Sequence, residues 1–195
     1  MIIIGIDVGY HNMALVVSET DEDFNVTVRS AHLVDITKIP HHRVRMRDCT
    51  IPHTHELADL MAHFIQEYGY ILESADILLI ERQPPTGLTQ IETLLMYLYR
   101  DKTILVSPNA MHSHFNINHY EYDRRKNCTI ALAEPYLSDF PVFSEATRRH
   151  DLADAMCFIL FHIHPMREKA RLRNLDRTLP FHMYKYEGTL RETRR

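Results

Sequence analysis

The segment IIIGIDVGYHNMAL, residues 2–15, is a run of apolar and β-branched residues that is interrupted by one carboxylate, Asp7. Runs of this composition are typical of a buried strand. A charge inside or at the end of such a strand is costly to bury unless it is paired or binds a metal, so Asp7 is a candidate functional residue. Gly9 follows and permits a tight turn or a close approach. The segment therefore predicts a strand that ends near Asp7, a turn and a second strand.

Three further carboxylates stand in comparable positions. Residues 77–80 form a short apolar run that ends in Glu81, after which a double proline stops the strand. Asp151 and Asp154 lie in RRHDLADAMCF, which has the composition of a helix. Their spacing of three residues places both carboxylates on one helical face. We expect this face to meet the two strand-borne carboxylates in space.

Four converging carboxylates make a cage of hard oxygen ligands. Such a cage suits Mg²⁺, with Mn²⁺ as a substitute, because both ions take oxygen ligands. Two ions about 4 Å apart can clamp the attacking and the leaving oxygen of an in-line displacement. The chemistry that this arrangement favours is the cleavage of nucleic-acid phosphodiesters.

The apolar periodicities predict a mixed α/β sheet, which consists of a three-strand antiparallel meander plus parallel strands and is flanked by helices. Thr54 is predicted to cap the first long helix. The segment 108–117 is predicted to be a polar loop. The predicted strands are 2–8, 12–18, 24–36, one that ends at Glu81, and 103–107; the predicted helices are 54–72, 88–100, 118–134 and one from about Asp151 to 164.

Five stretches of the chain, in this order, resemble the RuvC-type Holliday junction resolvases of the ribonuclease H-like superfamily, in particular those of poxviruses and related large DNA viruses. The ERQP tetrapeptide and the VSP turn are more distinctive than the aspartates. The segment 37–75, rich in His and Arg, matches the pattern poorly. The five stretches are IGIDVGYHNMAL (4–15), LLIERQPP (78–85), ILVSPNAMHSHF (104–115), YDRRKNCTIALAE (122–134) and RRHDLADAMCF (148–158).

The resemblance implies a function and a set of site residues. Asp7, Glu81, Asp151 and Asp154 would be the catalytic metal ligands, and Lys126 would be a catalytic basic residue near the cleaved strand. The substrate would be a four-way DNA junction, cut symmetrically to leave 5′ phosphates, without a nucleotide cofactor. Two opposed cuts imply a homodimer. The enzyme would be intracellular and, if viral, would act in a cytoplasmic viral factory or in the nucleus.

Composition and charge agree with a single nuclease domain at 1–165 and a basic tail at 166–195. The chain has 195 residues, of which 45% are hydrophobic, and no apolar run approaches the roughly 18 residues of a membrane span. The three cysteines form no CxxC pair and are predicted to be reduced thiols. The tail holds nine Lys or Arg against four acids. Candidate phosphate-binding residues are Arg43, Arg45, Arg47, Arg82, Arg124, Arg125, Lys126, Arg148 and Arg149.

Histidines and tyrosines give weaker signals. The fourteen histidines include three HxH pairs, but no cysteine or carboxylate pattern completes a tetrahedral site, so zinc is not predicted. Beside Asp151, His150 could orient a water or a phosphate, although such a residue more often closes the first turn of a helix. Tyrosines at 97, 99, 120 and 122 could stack on unpaired bases, although core packing is the favoured prediction.

Three alternatives remain open from the residues. A ribonuclease H-type or exonuclease activity would use the same carboxylates, because fold and metal cage do not choose the substrate. The segment IGIDVGYHN also resembles the first phosphate loop of actin-like ATPases, but the chain is short for two lobes and lacks the further Gly-rich loops. A non-catalytic junction-binding protein is the third alternative, and four intact carboxylates argue against it.

Overall fold

A computed structural model describes residues 1–39 and 49–178, with side-chain environments as far as residue 173. The basic cluster of Arg43, Arg45 and Arg47 lies outside the described residues, as do residues 179–195. The elements are β1 (Ile2–Asp7), β2 (Met13–Thr20), β3 (Val26–Val34), α1 (Leu57–Ser74), β4 (Ile77–Glu81), α2 (Thr89–Leu98), β5 (Thr103–Val106), α3 (Pro108–His114), α4 (Tyr122–Leu137), α5 (Pro141–Ser144) and α6 (Arg149–Thr178).

The five strands form one sheet in the order β3-β2-β1-β4-β5. β1, β2 and β3 pair antiparallel, whereas β4 pairs parallel to β1 and β5 pairs parallel to β4. The predicted combination of an antiparallel meander with parallel strands is therefore confirmed. The consequence for the site is that β1 and β4, the two strands that end in carboxylates, lie side by side and point in the same direction.

The pleat of the strands divides the core into two layers. Ile4 and Ile6 of β1 face α1 and α2, where they pack with Phe64 and Leu72. Ile3 of β1 faces the opposite layer, which contains α3, α4, α5 and the buried half of α6. Because side chains alternate along a strand, Gly5 and Asp7 lie on the same face as Ile3. The same alternation places Glu81 on that face with Leu79.

At Gly5, the backbone of α6 approaches β1 directly. A Cβ atom at Gly5 would lie 2.1 Å from the carbonyl oxygen of Ala155 and 3.1 Å from a side-chain carbon of Ile159. Both distances are shorter than van der Waals contact, so any side chain at Gly5 would push α6 away from the sheet. Asp154 immediately precedes Ala155. The absence of a side chain at one strand position thus sets the distance between the helical and the strand carboxylates.

The predicted loop at 108–117 is wrong, because residues 108–114 form α3. Ser107 caps this helix by accepting a hydrogen bond from the amide of Ala110 at 3.4 Å, and Pro108 occupies the first turn. A serine followed by proline is a known start signal for a helix. The VSP turn is therefore the point at which β5 ends and a helix begins.

Two other helix boundaries differ from the prediction. α1 begins at Leu57, and Thr54 does not cap it: its hydroxyl bonds the carboxylate of Asp59 and accepts from the amide of Glu56. α6 continues to Thr178 instead of ending near 164, and it takes in Pro165. The first part of the basic segment is therefore helical. No helix in the described part of the chain is long and apolar enough to cross a membrane.

The Gly5–Ala155 contact can be tested with one methyl group. Gly5→Ala is expected to lower the free energy of unfolding by at least about 3 kcal/mol, which for a chain of this size lowers Tm by roughly 6–12 °C. The control is Gly69→Ala in α1, where the added methyl lies 3.4 Å from its nearest neighbour. That change is expected to be neutral or to stabilise by about 0.5–1 kcal/mol. Equal melting temperatures for the two variants would contradict the packing argument.

Candidate active site

Asp7 and Glu81 stand at the ends of two adjacent parallel strands. The register pairs Ile6 with Ile80, so the next residue of each strand lies at the same edge of the sheet. Both carboxylates are half-buried, and their side chains are hydrogen-bonded to each other. The carboxyl ends of these strands open into a cleft over the sheet edge, which is where ligands bind in many α/β proteins.

Asp151 and Asp154 come from the first turns of α6 and point toward the same cleft. Each is more than nine-tenths buried. Asp151 is held by two neighbours in sequence: Arg148 Nε donates to one carboxylate oxygen at 3.0 Å, and His150 Nε2 lies 3.2 Å from the other. The structure therefore assigns His150 to holding Asp151, rather than to the closing of a helix turn alone.

Asp154 differs from Asp151 in how its oxygens are used. One oxygen accepts a hydrogen bond from the ammonium group of Lys126 on α4. The other, Oδ1, is buried and has no hydrogen-bond partner among the described residues. Buried carboxylate oxygens are rarely left in this state, because the cost of removing them from water is not recovered. Asp154 lines the cleft together with Glu81, and a carboxylate oxygen with free lone pairs is a natural ligand for a cation.

The electrostatics of the site show the repulsion among its carboxylates. Burial, followed by the charge of Glu81, raises the pKa of Asp7 well above its usual value. Burial also raises the pKa of Glu81, against the opposing effect of its hydrogen bond with Asp7. Burial alone would lower the pKa of Lys126, but the charge of Asp154, the hydrogen bond to it and the charge of Asp7 together outweigh burial and raise that pKa. Bringing these carboxylates together therefore has an electrostatic cost, which a bound cation would reduce.

Gln83 is a site residue that the sequence did not single out. Its side-chain amide donates to the same Glu81 oxygen that accepts from the backbone of Val8 at 3.4 Å. Its own carbonyl oxygen accepts from the amide of Leu88 at 3.0 Å, and its backbone N–H donates to Glu92 at 2.6 Å. Gln83 thus fixes the Glu81 carboxylate to the loop before α2. The ERQP tetrapeptide contained this signal: Gln83 stands two residues after Glu81, and in a strand that spacing places two side chains on the same face.

The rim of the cleft is formed by α3 and α4. Tyr122 lines both the part of the cleft above Asp7 and the part above Asp154, and it is 58% exposed. The ammonium of Lys126 lies 5.6 Å from its ring centroid. His112 of α3 lines the part above Asp154, and its pKa is lowered, chiefly by burial. The prediction of core packing is wrong for Tyr122, and for Tyr97, which is 77% exposed on α2.

The predicted phosphate-binding residues fall into two groups. Arg148 and Lys126 lie at the carboxylates, where each makes an ion pair. The remaining ones lie outside the carboxylate cluster: Arg125 donates to the carbonyl of Tyr120 at 2.7 Å, and Arg124 stacks over the Tyr120 ring at 3.8 Å. The last two, Arg82 and Arg149, are exposed.

Comparison of the fold with solved structures gives consistent neighbours. The fowlpox virus resolvase in complex with substrate Holliday junction DNA matches with a TM-score of 0.58 at 16% identity, over 85% of this chain and 99% of that one. The yeast mitochondrial Holliday junction resolvase Ydc2 matches with a TM-score of 0.60 at 16% identity, over 91% and 86%. Thermus thermophilus RuvC with Holliday junction substrate matches with a TM-score of 0.53 at 14% identity, over 87% and 98%. At such identities these likenesses establish the RuvC-type, ribonuclease H-like fold.

Sequence comparison gives the family. None of the curated proteins matches this chain. The family described as poxvirus A22 protein matches residues 1–165, which include all four carboxylates and Lys126. That match spans far more than half of the 195 residues. The chain therefore belongs to the poxvirus A22 protein family.

Proposed function

We propose that this protein is a divalent-metal-dependent endonuclease that resolves four-way DNA junctions. The observation that carries the proposal is the convergence of four carboxylates at one cleft, where the buried Oδ1 of Asp154 has no hydrogen-bond partner within residues 1–39 and 49–178. Membership of the poxvirus A22 family supports it. The shared fold supports it as well, because two of the similar structures are described as resolvases, from fowlpox virus and from yeast mitochondria, and a third is RuvC in complex with Holliday junction substrate.

The donor set fits Mg²⁺ or Mn²⁺. Asp7, Glu81, Asp151 and Asp154 offer only oxygen ligands, which these ions prefer. Burial and neighbouring carboxylates raise the pKa values of Asp7 and Glu81, and a bound cation would offset both effects by favouring the charged carboxylates. When bound, divalent ions would supply Lewis-acid polarisation of the phosphate and lower the pKa of the attacking water.

The chain's own groups have distinct parts in the reaction. Hydrolysis joins a water oxygen to phosphorus and breaks the bond between phosphorus and the 3′ oxygen. One strand end then carries a 3′ hydroxyl, and the other carries a 5′ phosphate. Lys126, held beside Asp154, brings a positive charge to the place where negative charge develops on the phosphate. Arg148 and His150 keep the Asp151 carboxylate fixed, and Gln83 does the same for Glu81, so the ligands are oriented before substrate arrives.

Resolution of a junction requires two cuts in strands related by two-fold symmetry. One chain contains one such cluster of carboxylates among its described residues, so a homodimer with two-fold symmetry would supply the second. For a virus-encoded member of the family, the substrate would be branched intermediates of replicated genomes, in a cytoplasmic factory or the nucleus.

The decisive experiment is cleavage of a labelled four-way junction by the purified protein, with Mg²⁺ or with chelator. Linear duplex and RNA–DNA hybrid serve as parallel substrates. Paired nicks confined to the junction are expected, with no product in chelator. Cleavage of the hybrid alone would replace the proposal with a ribonuclease H-type activity, and junction binding without cutting would leave a non-catalytic binding protein.

Asp7→Asn is expected to abolish cleavage while stabilising the metal-free fold. The folded-state pKa of Asp7 lies above its ordinary value of 3.8, so its ionisation disfavours the folded protein increasingly as pH rises through the folded pKa. At mildly alkaline pH in chelator, Asp7→Asn should therefore raise the free energy of unfolding by on the order of 1 kcal/mol, or about 2–4 °C in Tm.

The matched control is Asp139→Asn, the same substitution at an exposed position. It should leave cleavage and Tm unchanged. Addition of Mg²⁺ should stabilise the unmodified protein and the control but not Asp7→Asn, since only they keep the full ligand set. Full cleavage by Asp7→Asn under saturating Mg²⁺ would refute the metal assignment.

Tyr122 is expected to stack on a base that is unpaired at the junction centre, because its exposed ring stands over the cleft. Tyr122→Ala should weaken binding or cleavage by about 1–3 kcal/mol, roughly 5- to 150-fold, whereas Tyr122→Phe should retain activity. Tyr97→Ala removes an equally exposed ring that lines neither part of the cleft, and it should have no effect. Equal losses in the alanine variants at both positions would exclude stacking at Tyr122.

The basic C-terminal segment is expected to contact DNA phosphates. Arg171→Gln/Arg173→Gln, on the exposed surface of α6, should reduce the slope of log affinity against log salt by about 0.9 per lost contact. The control is Arg29→Gln/Arg100→Gln, which removes the same amount of charge from β3 and from the turn after α2. If both double variants gave the same salt slope as the unmodified protein, α6 would have no direct role in binding.

A further inference from the structure

We propose that Cys49, His53 and His63 form a second metal site, which binds Zn²⁺. The ligand atoms of these three side chains lie within 4.8 Å of one another. His53 and His63 stack edge to face with ring centroids 4.8 Å apart, and Cys49 Sγ lies 3.5 Å from His63 Nε2. The sequence did not predict zinc because its HxH pairs lack a nearby cysteine pattern. The fold brings Cys49 to His63 across fourteen positions.

His63 is prepared as a ligand by its own helix. It is 96% buried, and its Nδ1 lies 2.7 Å from the carbonyl oxygen of Asp59. A carbonyl can only accept, so Nδ1 carries the hydrogen and Nε2 of the neutral ring keeps its lone pair. That lone pair points toward Cys49. Metal-binding histidines are usually oriented by such a bond from the other ring nitrogen to a backbone carbonyl.

The observed separation fits a tetrahedral zinc ion. Ordinary zinc–sulfur and zinc–nitrogen bonds of about 2.3 and 2.05 Å, at a tetrahedral angle, place the two ligand atoms about 3.5 Å apart. Cys49 Sγ and His63 Nε2 have this separation already. His53 is exposed, and its ligand atom already lies within 4.8 Å of those of Cys49 and His63. Three protein ligands leave the fourth position to water.

The chemistry of the set selects a different ion from the carboxylate cleft. A thiolate and two imidazoles are soft and borderline ligands, which favour Zn²⁺ over Mg²⁺. The site is also separate from the cleft, because it lies at α1, whose core residues pack on the opposite face of the sheet from α6. Zinc would tie the segment that contains Cys49 and His53 to the first turns of α1, and so stabilise the folded chain.

The same distance also suits a hydrogen bond from the Cys49 thiol to Nε2 of His63, so the test must detect metal directly. Full-length protein, purified in chelator and dialysed into excess Mg²⁺, is titrated with Zn²⁺ against a chromophoric competitor. One equivalent should bind to the unmodified protein and to Asp7→Asn. With Co²⁺ in place of Zn²⁺, a thiolate charge-transfer band should appear in the near ultraviolet.

Cys49→Ser and His53→Gln should each weaken Zn²⁺ binding by at least tenfold and remove the charge-transfer band. His53 is exposed, so His53→Gln should fold even if Cys49→Ser does not. Cys128→Ser on α4 is the matched control and should bind as the unmodified protein does. Absence of binding, or equal affinity in all of these variants, would overturn the proposal. Junction cleavage is measured separately, and its outcome does not bear on this site.

Discussion

The contact between the backbone of α6 and Gly5 is the constraint on which the site depends. A carbonyl oxygen of α6 occupies the volume where a side chain of β1 would stand. A side chain on β1 at this position would hold the helix further from the sheet. With glycine there, the backbone of α6 at Ala155 approaches β1 directly. Carboxylates are short side chains, and only such an approach lets two of them on a helix share a cleft with two on strands.

This close approach has an electrostatic cost that the core must offset. Two of the four carboxylates are buried and two are half-buried, and among the described residues only Lys126, Arg148 and His150 form ion pairs with them. Apart from Asp154, residues 152–159 of α6 are apolar, and all of them are buried. Their burial between the sheet and α4 holds the helix in place against the repulsion. The carboxylates therefore lower the stability of the fold, and in return they are already arranged to bind a cation.

Sequence reasoning predicted the parts of this architecture that depend on local pattern. The apolar runs that end at Asp7 and Glu81 and the spacing of Asp151 and Asp154 followed from strand and helix periods. The strand order of β1 and β4 could then be expected from the resemblance. The role of Gly5 could not be predicted from periodicity. The sequence of one strand does not show which neighbouring backbone will pack against a glycine in it. α3 was missed for a different reason: polar residues concealed a helix whose start signal lay at Ser107 and Pro108.

The residues that sequence reasoning set aside were those whose partners are distant in the chain. Cys49 and His63 belong to no motif, since the path between them passes through an irregular segment before α1 begins. Gln83 was likewise not identified from the sequence, because its hydrogen-bond partners lie at the end of β4, Glu81, and near the start of α2, Leu88 and Glu92.

The two proposals together would give the two faces of the sheet different metal preferences. A cage of carboxylates can bind Zn²⁺ as well as Mg²⁺, because affinity for most ligands rises toward the end of the first transition row. The proposed thiolate–imidazole site would select Zn²⁺ over Mg²⁺, because its ligands are soft or borderline. The carboxylates offer only hard oxygen ligands, which suit Mg²⁺ or Mn²⁺. Under this interpretation, the helices on one face of the sheet position a catalytic ion, and those on the other fix the chain that leads into α1.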